Sequence, residues 1–272
     1  MSIAKALRTA AARLAAVSDT PRLDAELLMA HALGLDRETL LLKGGEGALP
    51  DGFGGLVARR LAHEPIAHIL GRRAFWTIEL AVTPDVLVPR PDSETLIEQA
   101  VAWFGRAGPA RVLDLGTGSG ALLLAALAEW PDAIGTGLDI SAAALAVAAG
   151  NAARLGLSGR AHFIEGDWEA APGPAELVLA NPPYIRTGEM LPPEVMRDPA
   201  LALFAGEDGF DAYRRIVPLL PRLIAPGGLA ALEIGHDQAV AVSTLVAAAG
   251  LTAAVARDLG GRDRCILVSH QA

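Results

Sequence analysis

Apolar residues at the start of the chain recur at helical spacing: Ile3, Leu7, Ala10, Leu14 and Val17 lie three or four apart and share one helix face. Thr20 before Pro21 is a second start signal, a capping hydroxyl followed by a proline whose fixed φ suits the first helical position. Leu23, Leu27 and Ala30 form the expected inner face of that helix, and Gly34 ends it. Asp36 is placed to cap a short helix through Leu42, the glycine-rich run from Gly44 to Gly55 reads as a loop, and Leu56 to His63 reads as a helix stopped by Pro65. Residues 1–72 are therefore expected to be a small helical domain.

The period then changes. Phe75-Trp76-Thr77-Ile78-Glu79-Leu80 and Val86-Leu87-Val88 are strand-like, with Thr83-Pro84-Asp85 between them as a turn, so residues 73–92 are expected to be a β-hairpin linker. Pro89 and Pro91 fix Arg90 between them, which suits either an interdomain salt bridge or a substrate contact, and Asp92 or Ser93 caps a helix from Thr95 to Phe104. After Pro109 short apolar strands alternate with alanine-rich helices. Strands are expected at Arg111 to Leu115, Ile134 to Asp139, His162 to Glu165, Glu176 to Ala180, Leu229 to Ile234, Thr252 to Arg257 and Arg264 to Val268. Helices are expected at Ala121 to Trp130, Ala142 to Leu155 and Phe210 to Ile224. Residues 93–272 thus predict an α/β domain, a mostly parallel seven-stranded sheet with helices on both faces. Asp258 to Asp263 is too short for a parallel crossover, so the last strand is expected to be antiparallel.

Composition narrows the class. With 52% hydrophobic and 20% charged residues the chain is neither disordered nor fibrous, and a net charge of -8 opposes a protein that clamps duplex nucleic acid. A single cysteine, Cys265, cannot form an internal disulfide or a cysteine metal site, which fits a reducing, cytoplasmic setting. His31, His63 and His68 are scattered, so no metal is expected. The longest uncharged run, Gln238 to Ala256, is broken by Ser243, Thr244, Gly250 and Thr252 and reads as helix, turn and strand, not as a membrane span. Lys5, Arg8 and Arg13 among alanines look like a transit peptide, but the helical spacing favours a packed first helix.

Candidate chemistry gathers where strands end, the edge at which such sheets bind ligands. Asp114-Leu115-Gly116-Thr117-Gly118-Ser119-Gly120 closes the first strand of the sheet with glycines that let backbone amides approach a ligand. Its G-x-G-x-G spacing differs from the G-x-G-x-x-G that wraps a pyrophosphate, and so suits a ligand without phosphates. Asp139 ends the next strand where a carboxylate can take ribose hydroxyls. Asp167 could accept from an adenine amine while Trp168 covers the ring. Simpler readings exist, the aspartates as helix caps and Trp168 as a core aromatic. Four features on successive strand ends point instead to an adenosine-type ligand. The fourth strand runs into Asn181-Pro182-Pro183-Tyr184. Two prolines halt the ladder and leave a side-chain amide, free carbonyls and an aromatic ring, a set able to grip a flat NH2-bearing group; the alternative is an Asn-Pro turn.

On these residues the chain resembles the class I S-adenosylmethionine-dependent methyltransferases, and within them the HemK/PrmC family that methylates glutamine in peptide chain release factors. The likeness runs through Pro65 to Gly71, Val82 to Asp85, Val88 to Pro91, Asp114 to Gly120, Asn181 to Tyr184, Gly206 to Gly209 and Asp258 to Arg264, and more loosely through Arg22 to Leu28. Departures are Asp92-Ser93 for Glu-Thr, Ala205 for glycine, and Cys265 after Arg264. The resemblance implies a Rossmann-like methyltransferase domain, with S-adenosylmethionine held by Gly116, Thr117, Gly118, Ser119, Gly120, Asp139, Asp167 and Trp168 and with Asn181 near its methyl group. It further implies that Asn181, Pro182, Pro183 and Tyr184 hold the glutamine of a Gly-Gly-Gln loop on a class I release factor. The helical N-terminal domain would help recognise that factor, and the enzyme would act as a monomer without direct nucleic-acid or membrane contact. Other readings of the same motifs are methylation of a ribosomal protein glutamine, which the Pro89-Arg90-Pro91 context disfavours, or of a nucleic-acid exocyclic amine, which the acidic balance disfavours. A nicotinamide-dependent dehydrogenase conflicts with the glycine spacing, and a non-catalytic adenosine-binding module is the remaining alternative.

Overall fold

A computed structural model describes residues 2–42 and 48–271. The chain divides into two compact units, Met1–Arg72 with Leu191–Arg197, and Arg73–Met190 with Asp198–Ala272. Among the described residues no helix is long and apolar enough to cross a membrane.

The first unit is helical. Ser2 caps α1 (Ile3–Leu14), accepting from Lys5 N at 3.4 Å, and the helix buries Ile3, Ala6, Ala10 and Leu14. In α2 (Pro21–Leu33) the buried face is only partly the expected one. Of the expected face Ala30 is buried, Leu27 half-buried and Leu23 exposed, and Ala25, Leu28 and Met29 are buried instead, together with Asp24 and Glu26. These acids are tolerated inside because each has a guanidinium partner, Arg60 Nε at 2.8 Å from Asp24, and Arg22 and Arg37 at 2.8 and 2.7 Å from Glu26. Asp36 caps α3 (Arg37–Leu42) through Thr39 N at 2.6 Å. Residues 44–47 of the expected glycine-rich loop lie outside the described residues. The remainder of that run departs from expectation, because α4 (Phe53–Leu61) takes in Gly54 and Gly55, anchored by buried Phe53 and entered from Gly52 at φ 85°. His63, at φ 61°, leaves the helical region, and Pro65 opens a short α5 (Ile66–Leu70) that the pattern did not show. The 191–197 segment closes this unit, with Glu194 at 2.8 Å from Arg60 and Arg197 donating to Ala62 O at 2.9 Å.

The second unit opens with a hairpin placed differently from expectation. Strands β1 (Arg72–Phe75) and β2 (Ile78–Ala81) turn at Trp76 and Thr77. Trp76 adopts φ 53°, its N–H held by Glu94 Oε1 at 3.0 Å and its indole by Glu129 Oε2 at 3.1 Å. Val86 and Val88 are buried but form no strand, and Val88 N donates to Asp198 Oδ1 at 3.2 Å instead. Their apolar character reflects core burial.

Beyond a 3-10 turn at Pro91–Ser93 come α6 (Glu94–Phe104), β3 (Arg111–Leu115), α7 (Ala121–Glu129), β4 (Ile134–Asp139), α8 (Ala142–Arg154), β5 (Ala161–Glu165) and β6 (Ala175–Ala180). The chain continues through α9 (Asp211–Ile216), α10 (Leu220–Leu223), β7 (Ile224–Glu233), α11 (Ala239–Ala248), β8 (Leu251–Arg257) and β9 (Asp263–His270). The single helix expected from Phe210 to Ile224 is interrupted by a 3-10 turn at Val217–Leu219, since Pro218 and Pro221 cannot donate to a continuous ladder. Seven strands order as β5-β4-β3-β6-β7-β9-β8, with β9 antiparallel to both of its neighbours and the rest parallel. Alternate residues feed two cores: Val112, Leu177 and Leu179 pack with α6 and α7, while Leu113, Leu115 and Val178 pack with α9, α10 and α11.

Candidate active site

The sheet register brings the relevant loops together. Leu115 lies opposite both Leu138 and Ala180, so Gly116, Asp139 and Asn181 all start from one edge, at the point where strand order reverses between β3 and β6. A cavity of about 350 Å³ opens there, lined by Gly116, Thr117, Gly118, Ser119, Asp139, Asp167, Trp168, Asn181, Pro182 and Pro183.

The loop after β3 is tied down from behind. Gly116 N and Thr117 N donate to Leu138 O at 2.8 and 2.9 Å, and Gly118 N donates to Asp139 Oδ2 at 2.9 Å. Gly118 takes φ 55° with open space where a Cβ would stand. Gly120 differs from its neighbours: it is the N-cap of α7 at φ 82°, does not line the cavity, and a Cβ there would press on Leu124 and Ala148 at 3.0 and 3.3 Å. Asp139 also accepts from Ser141 N at 2.9 Å, so each oxygen has one backbone partner and keeps a lone pair for a ligand. Asp167 pairs with Arg215 at 2.6 Å, which holds its carboxyl below the usual range, and the Arg215 guanidinium lies 4.9 Å from the centre of the Trp168 ring.

The motif by itself offers Asp114 no ligand role beyond a helix cap, because burial is invisible in a motif. Its side chain lines the cavity and accepts from Thr117 Oγ1 at 2.7 Å, while Oδ1 is buried without a full hydrogen bond and the Leu123 N–H lies close enough to favour the ionised carboxylate. Burial pushes its carboxyl up to about 7, and the nearby Asp139 charge adds to the rise. A buried carboxylate at the cavity wall suits a cationic group. Among the described residues lining the cavity Arg215 is the one basic side chain, and it is already engaged by Asp167 and Glu169. The site therefore fits a positively charged, phosphate-free adenosyl ligand.

After β6 the chain turns at Asn181, whose Nδ2 donates to Ser93 Oγ at 3.1 Å. Tyr184 is not brought to the cavity wall. Its hydroxyl donates to Glu233 Oε1 at 3.3 Å, and its carbonyl accepts from Gln238 Nε2 at 3.1 Å. Gln238 Nε2 also donates to Gly209 O at 3.1 Å, while its Oε1 accepts from Gly235 N at 2.9 Å. Ile185 bridges in parallel to Phe204, with Ile185 N donating to Leu203 O at 2.9 Å and Ala205 N to Ile185 O at 2.8 Å. The bend is thus pinned on both sides. Arg90 pairs with buried Asp198 inside its own unit, not across an interdomain boundary.

Residues 5–71 match the model of the PrmC N-terminal domain, and residues 108–230 match a methyltransferase domain. A release factor glutamine methyltransferase of Rhodospirillum rubrum is 45% identical over 262 residues, covering 93% of this chain and 80% of that protein. One from Cereibacter sphaeroides is 46% identical over 275 residues, covering 98% of each. A methyltransferase structure from Pyrococcus furiosus shares the fold at TM-score 0.55 with 18% identity, over 78% of this chain and 95% of that one. A seven-stranded sheet with an antiparallel last strand, a cavity suited to an adenosyl cation, and near-full-length likeness to these enzymes lead to one assignment: the chain belongs to the release factor glutamine methyltransferase family.

Proposed function

We propose that Asn181 and the Pro182 carbonyl present a glutamine side-chain amide to the methyl group of S-adenosylmethionine, so that the protein methylates the Gly-Gly-Gln glutamine of a class I peptide chain release factor. The observation that carries this reading is the shared sheet edge of Asn181 and the glycine loop, with the Asn181 nitrogen turned to Ser93 and its oxygen left for another partner.

An amide nitrogen is a weak nucleophile because its lone pair is delocalised, the same resonance that sets a C–N rotation barrier of about 18–20 kcal/mol. Two acceptors, Asn181 Oδ1 and the Pro182 carbonyl, hold both amide hydrogens, point the nitrogen, and bind more strongly as positive charge develops on it. Pro182 cannot offer a competing N–H. Bound S-adenosylmethionine supplies an activated methyl on a sulfonium whose sulfur departs as a neutral thioether. Asp139 would take the ribose hydroxyls, Trp168 and Asp167 would hold the adenine, the Gly116 to Ser119 backbone would contact the ligand, and Gly120 would support that loop from α7. Asp114 would offset the charge of the ligand's ammonium group. The methylated nitrogen is strongly acidic and loses its proton to water, so no general base is required of the chain. Tyr184 anchors the bend through Glu233, with Pro183 stiffening it.

Relatives named for release factors favour that partner over a ribosomal protein. The carboxylates of Asp114, Asp139, Asp167 and Asp211 around the cavity disfavour a polyanion. The helical N-terminal unit recognises the factor, the enzyme works as a monomer, and translation termination places it in the cytoplasm. Incubation with labelled S-adenosylmethionine and release factor should label one glutamine, located by mass spectrometry. Undiminished labelling of a factor with that glutamine replaced would overturn the reading.

A further inference from the structure

A carboxamide can serve a glutamine in one orientation only. It carries two hydrogens at one end and an oxygen at the other, and a substrate amide that gives hydrogens needs the oxygen. Asn181 therefore has to be held with Nδ2 away from the substrate. Ser93 does this by accepting from Nδ2 at 3.1 Å. A hydroxyl can equally donate, and a serine donating to Asn181 would favour the reversed carboxamide, NH2 facing NH2. The orientation is fixed only if something else takes the serine's own hydrogen.

Glu233, at the end of β7, is the group placed to take it. The residue is 1% exposed; Oε1 accepts from Tyr184, and Oε2 is buried without a partner. The Ser93 hydroxyl approaches closely enough to favour the ionised carboxylate, more than Arg264 or Tyr184 do, yet stops short of full hydrogen-bond geometry. Contacts of this kind tighten when a substrate engages the site. We propose that Glu233 is a positioning residue for methyl transfer: by accepting the Ser93 hydrogen it makes Ser93 an acceptor and keeps Asn181 Oδ1 turned to the substrate amide. The inference rests on the role proposed above for Asn181.

The groups facing Glu233 are Asp92 and Ser93 from the turn before α6, Tyr184 from the bend, Tyr213 from α9, and Arg264 and Cys265 from β9. Burial raises both tyrosines and Cys265 and keeps them protonated at neutral pH. Burial also pushes Glu233 up to about 7, with Asp92 adding to the rise and Ser93, Arg264 and Tyr184 opposing it. Glu233 thus changes charge near neutrality. Once protonated it no longer needs the serine hydrogen, and Ser93 is released to donate to Asn181. The rate at saturating substrates should therefore fall as pH drops below about 7.

Glu233→Gln and Ser93→Ala, compared with wild type from pH 6 to 9, test this. Each should lower kcat about tenfold at pH 8 and flatten its pH profile, leaving cofactor affinity by calorimetry unchanged. The double variant should lose no more than either single one, and Ser93→Thr should restore both rate and profile. A wild-type pH profile in either single variant, or losses that multiply in the double, overturns the inference. Should Glu233→Gln not fold, Ser93→Ala, which deletes one oxygen, decides between the same two outcomes by itself. Asn181→Ala run alongside separates the levels: if it is inactive while Glu233→Gln behaves as wild type, only this inference fails, and if it is fully active the site reading fails too.

Discussion

Replacing Gln238 by methionine keeps the volume of a buried side chain and deletes its polar ends. In the wild type that amide serves Tyr184 O, Gly209 O and Gly235 N, all within 3.1 Å. Gln238 is 4% exposed, so water does not readily replace it. A buried polar group left without a partner costs about 1–3 kcal/mol, so three of them set a loss of about 3 kcal/mol as the floor. At about 2–4 °C per kcal/mol for a domain of this size, the calorimetric transition of the methyltransferase unit should drop by about 6–12 °C. The effect should also reach the chemistry, because two of the three groups belong to the bend after Asn181 and to the loop that closes on it. At a temperature where the variant remains folded, kcat should fall by about tenfold or more while cofactor affinity holds. A transition within 2 °C of wild type, or full kcat, would refute the view that Gln238 clamps the bend.

Asn181→Ala removes one of two acceptors preorganised for the amide and should cut single-turnover methyl transfer by about a hundredfold or more, with little change in melting; transfer at the wild-type rate in rapid quench would contradict it. Asp139→Ala should weaken S-adenosylmethionine chiefly, read by titration calorimetry as a raised Kd with kcat at saturation largely kept. Asp114 must be ionised to receive a cation, so cofactor affinity should weaken by up to about tenfold per pH unit below its raised pKa of about 7, and Asp114→Asn should lose that dependence. Because the folded pKa of Asp114 is raised, its contribution to stability is full below the unfolded value and is lost as pH rises through about 7. The melting temperature of Asp114→Asn relative to wild type should therefore increase from pH 5 to pH 8. Arg60→Met strands Asp24 and Glu194 and should destabilise the helical unit by about 3–5 kcal/mol in urea denaturation.

The strands of the sheet were legible because most are short apolar runs closed by glycine, aspartate or an Asn-Pro step, and β3 and β4 begin and end where pattern alone puts them. Errors fell where apolar character answers to something other than a ladder. Val86 and Val88 are apolar because they are buried, and the run from Phe75 to Leu80 looks continuous although Trp76 folds it back on itself through hydrogen bonds to Glu94 and Glu129, residues remote in sequence. The inner face of α2 departs from the apolar pattern for the opposite reason: Asp24 and Glu26 are charged, yet arginines from elsewhere in the same unit neutralise them inside.

The same distinction divides the site. Gly116, Asp139, Trp168 and Asn181 could be found by reading along the chain, because a ligand-facing residue on a parallel sheet must follow a strand's carboxyl end. Ser93, Glu233 and Gln238 could not, since they act on Asn181 and Tyr184 across 88, 49 and 54 residues of sequence. Nothing in a serine after two prolines, or in a glutamate closing an apolar strand, marks it as a partner of that bend. The one local hint is chemical. A carboxylate at the end of a run as apolar as Leu229 to Leu232 is costly to bury unless hydrogen bonds and a cation meet it. One of those partners, Ser93, also accepts from Asn181, so the cost of burying Glu233 falls one side chain away from the residue proposed above to hold the substrate amide.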